Sequence, residues 1–322
     1  WMVKNPHLHP HQINIEKTLT IKALERQKES PFHMAFDGWR KTAYEFGEYS
    51  HDPLGSIKDL RLVTQKDVSI LAGSLLCRNK TLVLAGSCPD NFEEKIMELH
   101  PLNTLAKQKQ TMSCLIRQSH KKEESKINSD RFYMNPMKTQ QVVLLLGKPT
   151  IPHGHPEALA LRLLSCHLGS GMSSLLFKVL REKYGVVYEV GLHHPVRELR
   201  APFIIHASTT EEKASTTLKL MKECWDRSLE MPLTEKELTL AKAKFKGQLA
   251  HSLQSISQKA ERKAHLMGIG LDKEHDEKML AITNDITSKE LQRVASTRLK
   301  NPILSICGPD EKLKILATIW RK

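Results

Sequence analysis

Residues 168–188 read LGSGMSSLLFKVLREKYGVVY, a loop of glycine and serine followed by an amphipathic segment and a short apolar run. The loop at 169–174 lacks the Gly-Lys-Ser/Thr ending whose lysine reaches a phosphate, so it is not a phosphate-binding loop. A structural turn is the favoured interpretation. The pattern then predicts a helix over 175–183 and a strand over 186–193.

The segments on either side alternate between strand and helix patterns. Upstream, an apolar strand is predicted over 141–147 and a helix over 156–167; downstream, a strand over 203–208 precedes long helices that begin near Glu211 and Thr234. Further upstream, the pattern predicts helices over 13–29 and 32–44, separated at Pro31, an N-cap at Thr64 and a strand over 81–86. This alternation indicates an α/β-type or α+β sandwich. We expect the α+β form, with mainly antiparallel sheets packed with helices.

An internal repeat links the two halves of the chain. The segment 57–90 is echoed by 282–310, and in both copies a glycine, Gly86 or Gly308, follows an asparagine by seven residues (86−79=7 and 308−301=7). We therefore expect two homologous domains: residues 1–105, which form an incomplete first domain lacking its front half, and residues 131–322, which form a complete second domain. The polar, basic segment 106–130 is expected to be a linker.

Composition narrows the possible partners. No apolar run approaches the about 18 residues that cross a bilayer, and mean hydropathy is −0.39, so no membrane partner is expected. The net charge of +13 permits nucleic-acid binding, but the basic segment has no aromatic side chains between its lysines and matches no nucleic-acid motif, so none is expected. Six cysteines without a CxxC pair favour reduced thiols and a cytoplasmic location.

Neither compact zinc signature, HExxH or HxxEH, occurs in the chain. The nearest approach is Glu274-His275, where Leu271 occupies the position of the first histidine. A solvated helix face is the interpretation there.

Four stretches together resemble the pitrilysin/insulinase-type zinc peptidases, the inverzincins that include mitochondrial processing peptidase. They are the run at 168–188, the TEKEL segment at 234–238, and the GSCPD and GPD endings at 86–90 and 308–310. The resemblance covers nearly the whole chain. It implies two homologous domains that enclose a chamber, where one domain binds zinc through HxxEH and a distant glutamate.

The resemblance also implies which residues meet the substrate. In this family another domain supplies an arginine and, seven residues later, a tyrosine that bind substrate and the tetrahedral oxyanion; Arg181 and Tyr188 match them (188−181=7). It further implies substrate contacts from Gly169, Ser170 and Gly171. Without the surrounding signature, Arg181 would be interpreted as a surface charge and Tyr188 as a half-buried strand residue.

The residue expected to be the third zinc ligand departs from the family pattern. The family's helix runs from a glutamate through the ligand glutamate, seven residues on, to a proline fifteen residues on; Glu16 and Pro31 match the ends (31−16=15), which places Ala23 at the ligand position. Alanine cannot bind zinc. Glu25 lies two residues further, about 200° around a helix, so it faces the other way.

The sequence therefore predicts a non-catalytic, zinc-free subunit that is not active alone. In this hypothesis the partner in a heterodimer is a homologous zinc-bearing peptidase subunit, the substrate is a peptide bound as an added strand, and this chain itself holds no cofactor. Two alternatives stay open: a self-sufficient zinc endopeptidase whose HxxEH lies upstream of residue 1, and a purely structural subunit like the core proteins of respiratory complexes.

Overall fold

The computed structural model describes residues 6–44, 47–77, 80–88, 90–92, 94–95 and 131–321, and its strands form one mixed five-stranded sheet. The strands are β1 (Phe132–Pro136), β2 (Gln141–Pro149), β3 (Glu189–His193), β4 (Pro202–Thr210) and β5 (Ile303–Gly308). Their spatial order is β1-β5-β2-β4-β3, with β1 and β5 parallel and every other neighbouring pair antiparallel. The expectation of an α+β fold with a mainly antiparallel sheet is confirmed.

Helices surround this sheet. The N-terminal part contributes α1 (Pro10–Glu29), α2 (Pro31–Ala43), α3 (Ile57–Leu62) and α4 (Gln65–Cys77). The remainder contributes α5 (Ala158–Gly169), a π-helix (Phe177–Lys183), α6 (Ala214–Glu230), α7 (Glu235–His251), α8 (Ile256–Gly268), α9 (His275–Ile282), α10 (Ser288–Arg298) and α11 (Asp310–Arg321). No helix in these described ranges is long and apolar enough to cross a membrane.

Strand β2 is an uninterrupted apolar run because both faces of the sheet are covered. Val142, Leu144 and Leu146 join the larger core formed with the C-terminal helices, whereas Val143 and Leu145 point into a smaller core on the opposite face. All five are at most 2% exposed. The run alternates between two cores rather than between core and solvent.

The smaller core is closed by α2, which comes from the N-terminal part of the chain. Trp39 is fully buried, and its indole Nε1 donates a hydrogen bond to the carbonyl of Gly147 at 3.4 Å. On the neighbouring strand the Ser305 hydroxyl donates to the carbonyl of Ala35 at 2.7 Å. The N-terminal helices are therefore packed onto the sheet that follows them in sequence.

The predicted strand over 81–86 is wrong. Residues 80–85 have no regular secondary structure, and Leu82 and Leu84 are 48% and 44% exposed, whereas the matching residues of the repeat, Leu304 and Ile306, are fully buried in β5. Residues 304 and 306 lie between β1 and β2, but no strand of the described residues lies beside 81–86. A strand needs such neighbours for its backbone hydrogen bonds, and a second sheet is absent from the described ranges.

Candidate functional site

The Gly/Ser loop after α5 is shaped by close backbone packing. A Cβ atom at Gly169 would lie 2.3 Å from the Cβ of Leu192 in β3, so only glycine permits this approach. Gly171 has a φ of +70°, the left-handed region that glycine adopts without strain. The loop is therefore a tight turn, as the sequence predicts, and it lies against strand β3.

Helix α7 fixes the same loop through Ser170. The Lys244 ammonium donates to the Ser170 carbonyl at 2.7 Å, and the Gln248 amide donates to the Ser170 hydroxyl at 2.6 Å. The thiol of Cys166 in α5 donates in turn to the Gln248 side-chain oxygen at 3.4 Å. Burial raises the pKa of Cys166, so the thiol keeps the proton that it donates.

This support of the loop was not predicted from the sequence. Lys244 and Gln248 are one helical turn apart and share a face of α7, which the spacing alone could have indicated. Their target lies 74 and 78 residues earlier, and only the packing of α7 against α5 brings them to it.

The helix predicted over 175–183 is present, but its last seven residues form the wider π-helix. The Tyr184 N–H donates to the carbonyl of Val179 at 3.1 Å, five residues back, and Gly185 then turns the chain with a φ of +58°. Val186 continues the turn by donating to the carbonyl of Leu180. Single π-type turns are rare in proteins as a whole, but those that do occur often lie at functional sites.

Arg181 and Tyr188, the two predicted substrate-binding residues, lie next to each other across this turn. The Arg181 guanidinium donates to the main-chain carbonyl of Tyr188 at 3.0 Å, and its Cζ lies 5.4 Å from the centre of the Phe177 ring. Tyr188 directly precedes β3 and is 65% exposed, so it is not the half-buried strand residue of the alternative interpretation. Two hydrogen-bond donors are thus presented to solvent at the start of one strand.

Strand β3 is the outermost strand on its side of the sheet, paired only with β4 among the described residues. Tyr188 lies at its beginning, and the Gly/Ser loop lies against Leu192 near its end. The predicted site residues therefore collect around one strand with an unpaired edge, the geometry that accepts an added strand.

Two histidines of β3 and β4, which the sequence analysis did not single out, lie on the α2 face. The His193 ring contacts Phe36 edge-on at 5.6 Å between centroids, and the His206 ring contacts Phe32 at 5.3 Å. Burial lowers the pKa of both, so they are neutral at pH 7 and pack as aromatic rings. The sequence signal that could have pointed to His206 is its polar side chain within the apolar first half of β4.

The residues at the expected zinc position do not fit a metal. Helix α1 runs unbroken from Pro10 to Glu29, beginning three residues earlier than predicted, and Ala23 is exposed on it. Within the described ranges no group of three histidine, cysteine, aspartate or glutamate side chains could hold a metal ion.

Comparison with known proteins identifies this architecture. Residues 103–245 match the peptidase M16 inactive domain. The chain is similar to an uncharacterized zinc protease of Rickettsia felis, with 24% identity over 262 residues, or 81% of this chain and 61% of that protein. It therefore spans about three fifths of this relative's length.

Solved structures have the same fold. An M16 inactive-domain protein from Pseudomonas fluorescens is similar at a TM-score of 0.78 and 20% identity, covering 95% of this chain and 72% of that one. A chain of complex III2 from Candida albicans is similar at 0.65 and 13% identity, with 94% and 73% covered. The resemblance drawn from the motifs is confirmed at the level of the domain: residues 103–245 match the peptidase M16 inactive domain, and the similar proteins include an uncharacterized zinc protease.

Proposed function

We propose that this chain is the zinc-free half of a two-chain M16 peptidase. It binds a peptide along the edge of β3 and directs Arg181 and Tyr188 at the peptide bond that a zinc-bearing partner cleaves. The observation that carries this proposal is the presence of two exposed hydrogen-bond donors at the start of β3, a strand whose outer edge has no partner among the described residues. We also propose that the protein acts in the cytoplasm.

The chemistry divides between the two chains. The partner supplies the zinc ion, which activates water for attack. On this chain, β3 gives main-chain hydrogen bonds to a peptide and hence recognition with little sequence preference. Gly169, Ser170 and Gly171, beside the end of β3 that lies away from Tyr188, contact the peptide as well. The Arg181 guanidinium and Tyr188 phenol are donors suited to the negative charge that develops on the carbonyl oxygen.

A structural role is the second candidate. Arg181 already has two partners within the chain, the Tyr188 carbonyl and the Phe177 ring. An arginine that only stabilises the local structure would have the same partners. The likeness to a complex III2 chain is compatible with such a role. A third candidate, an active peptidase with its own HxxEH, is disfavoured by Ala23 because zinc held by two histidines alone has too few protein ligands.

The experiment measures zinc content and cleavage of a quenched-fluorescence peptide library by the chain alone and with its co-purifying partner. We expect zinc and cleavage only with the partner. Arg181→Gln should then lower kcat about 100-fold, as does the loss of one oxyanion donor elsewhere. Tyr188→Phe should lower kcat as well, and Lys178→Gln, an exposed change on the same helix, should leave it unchanged.

Each rival has its own outcome. Unchanged turnover in the Arg181→Gln and Tyr188→Phe complexes would support the structural role. Zinc and cleavage in the isolated chain would mean a self-sufficient peptidase and would refute the argument from Ala23.

A further inference from the structure

A small charged cavity lies among four helices on the larger-core side of the sheet. Its wall includes Arg162 of α5, Phe245 of α7, Arg262 of α8, Asp276 of α9 and, ahead of α5, His153. The free space has a volume of about 10 Å³, which limits its occupant to one water molecule or one monatomic ion. The peptide-binding proposal does not use these residues.

The charges around this cavity do not balance. Arg262 donates to both carboxylate oxygens of Asp276, each at 2.7 Å, which neutralises that pair. Arg162 has no hydrogen-bond acceptor and no paired carboxylate anywhere in the described residues, and its guanidinium lies 6.0 Å from the Phe245 ring centre. Two guanidinium groups face one carboxylate, so one positive charge is left uncompensated.

Histidines add donors rather than negative charge: His153 is part of the cavity wall, and His275 packs against His153. The His153 and His275 rings lie 5.0 Å apart, and both side chains are at least nine-tenths buried. The Nε2 atom of His275 is buried and has no hydrogen-bond partner among the described residues. Burial lowers the pKa of His153 to about 3, so it is neutral and offers one ring N–H.

We propose that this cavity binds one small inorganic anion of the size of chloride. The anion accepts from the Arg162 guanidinium and from a neighbouring imidazole N–H, cancels the unpaired charge, and ties α5 to α8 and α9. A metal cation is disfavoured because two guanidinium groups line the space. Larger oxyanions are disfavoured by the volume.

The first test is thermal unfolding of the full chain in chloride and in gluconate at one ionic strength. We expect chloride to raise the wild-type midpoint by about 2–4 °C in a saturable way, because an anion that binds only the folded state stabilises it. Arg162→Met should remove this response while folding normally, since a partly buried charge without an acceptor is replaced by an apolar side chain. Arg321→Met, an exposed change, should retain it.

The second test is crystallographic and does not depend on any variant folding. A bromide-soaked crystal of the wild-type chain should give one anomalous peak in contact with the Arg162 guanidinium. An equal chloride response in wild type and Arg162→Met, or a bromide map without that peak, would overturn the proposal. A water molecule in an unchanged cavity would then be its only occupant.

Discussion

At the residue scale, the stability of this chain against acid depends on histidines that are neutral in the folded state. His194 is mostly buried, its Nδ1 lies 2.9 Å from the carbonyl of Pro202, and its ring packs 5.0 Å from Phe203. Burial lowers the pKa of His194 from 6.5 to about 4, and the hydrogen bond to Pro202 opposes this only in part. An unfolded chain therefore takes up a proton at His194 at a pH where the folded chain does not.

The direction of the pH dependence of stability follows from this difference in pKa between the folded and unfolded chain. Because the folded pKa is depressed, the stabilisation is complete above pH 6.5 and is lost as pH falls towards 4. The free energy of unfolding should fall by on the order of 2–3 kcal/mol more for wild type than for His194→Gln over this window. Urea unfolding at a series of pH values measures this difference in the free energy of unfolding. Parallel pH profiles for wild type and His194→Gln would contradict the prediction.

At the element scale, the repeat shows how one sequence pattern reaches two different environments. The copy at 303–308 becomes the central strand β5, whereas the copy at 81–86 is exposed and irregular. The local signals at the start of both copies do behave alike. Thr64 and Thr287 each cap a following helix, Thr64 with Asp67 and Thr287 with the N–H of Glu290.

Substitutions at the matched positions Ile306 and Leu84 should therefore change the free energy of unfolding by different amounts. Ile306→Ala removes a fully buried side chain and should lower the free energy of unfolding by about 2–5 kcal/mol. Leu84→Ala, at a position that is 44% exposed, should change it by less than about 0.5 kcal/mol. Denaturant unfolding of both variants provides the comparison. A large loss for Leu84→Ala would mean that 81–86 is packed in the full chain.

At the scale of the whole molecule, the N-terminal helices complete the core of the sheet. Without α2, the face that carries Val143, Leu145, Ile204 and Ile303 would lie open to water. An exposed patch of this kind promotes aggregation or binding to another surface.

A fragment of residues 131–322 should consequently be less stable than the full chain. We expect it to bind the dye ANS, to unfold at a lower temperature, and to recover on addition of a peptide covering 6–44, whereas the Trp39→Ala form of that peptide should restore much less. A fragment that unfolds at the same temperature as the full chain, without dye binding, would instead support 131–322 as an independent domain.

Much of the architecture follows from local pattern. The apolar run at 142–146, the breaks at Pro31 and Gly185, and the capping box of Thr234 with Glu237 fixed β2, the flanking helices and the start of α7. The family resemblance, carried by the residues around them, implied the pair Arg181 and Tyr188, and the two residues do lie next to each other. These features depend on residues close together in the chain, where periodicity and steric preference act directly.

Long-range packing determined the rest. The docking of α2 on the sheet, where Trp39 and Gly147 are 108 residues apart, the support of Ser170 by α7, and the unpaired charge of Arg162 each require residues far apart in sequence to meet. The failure of 81–86 to form a strand has the same cause. A segment pairs only when neighbouring strands offer their hydrogen-bonding groups, and an apolar pattern encodes its own face but not the partner that covers it.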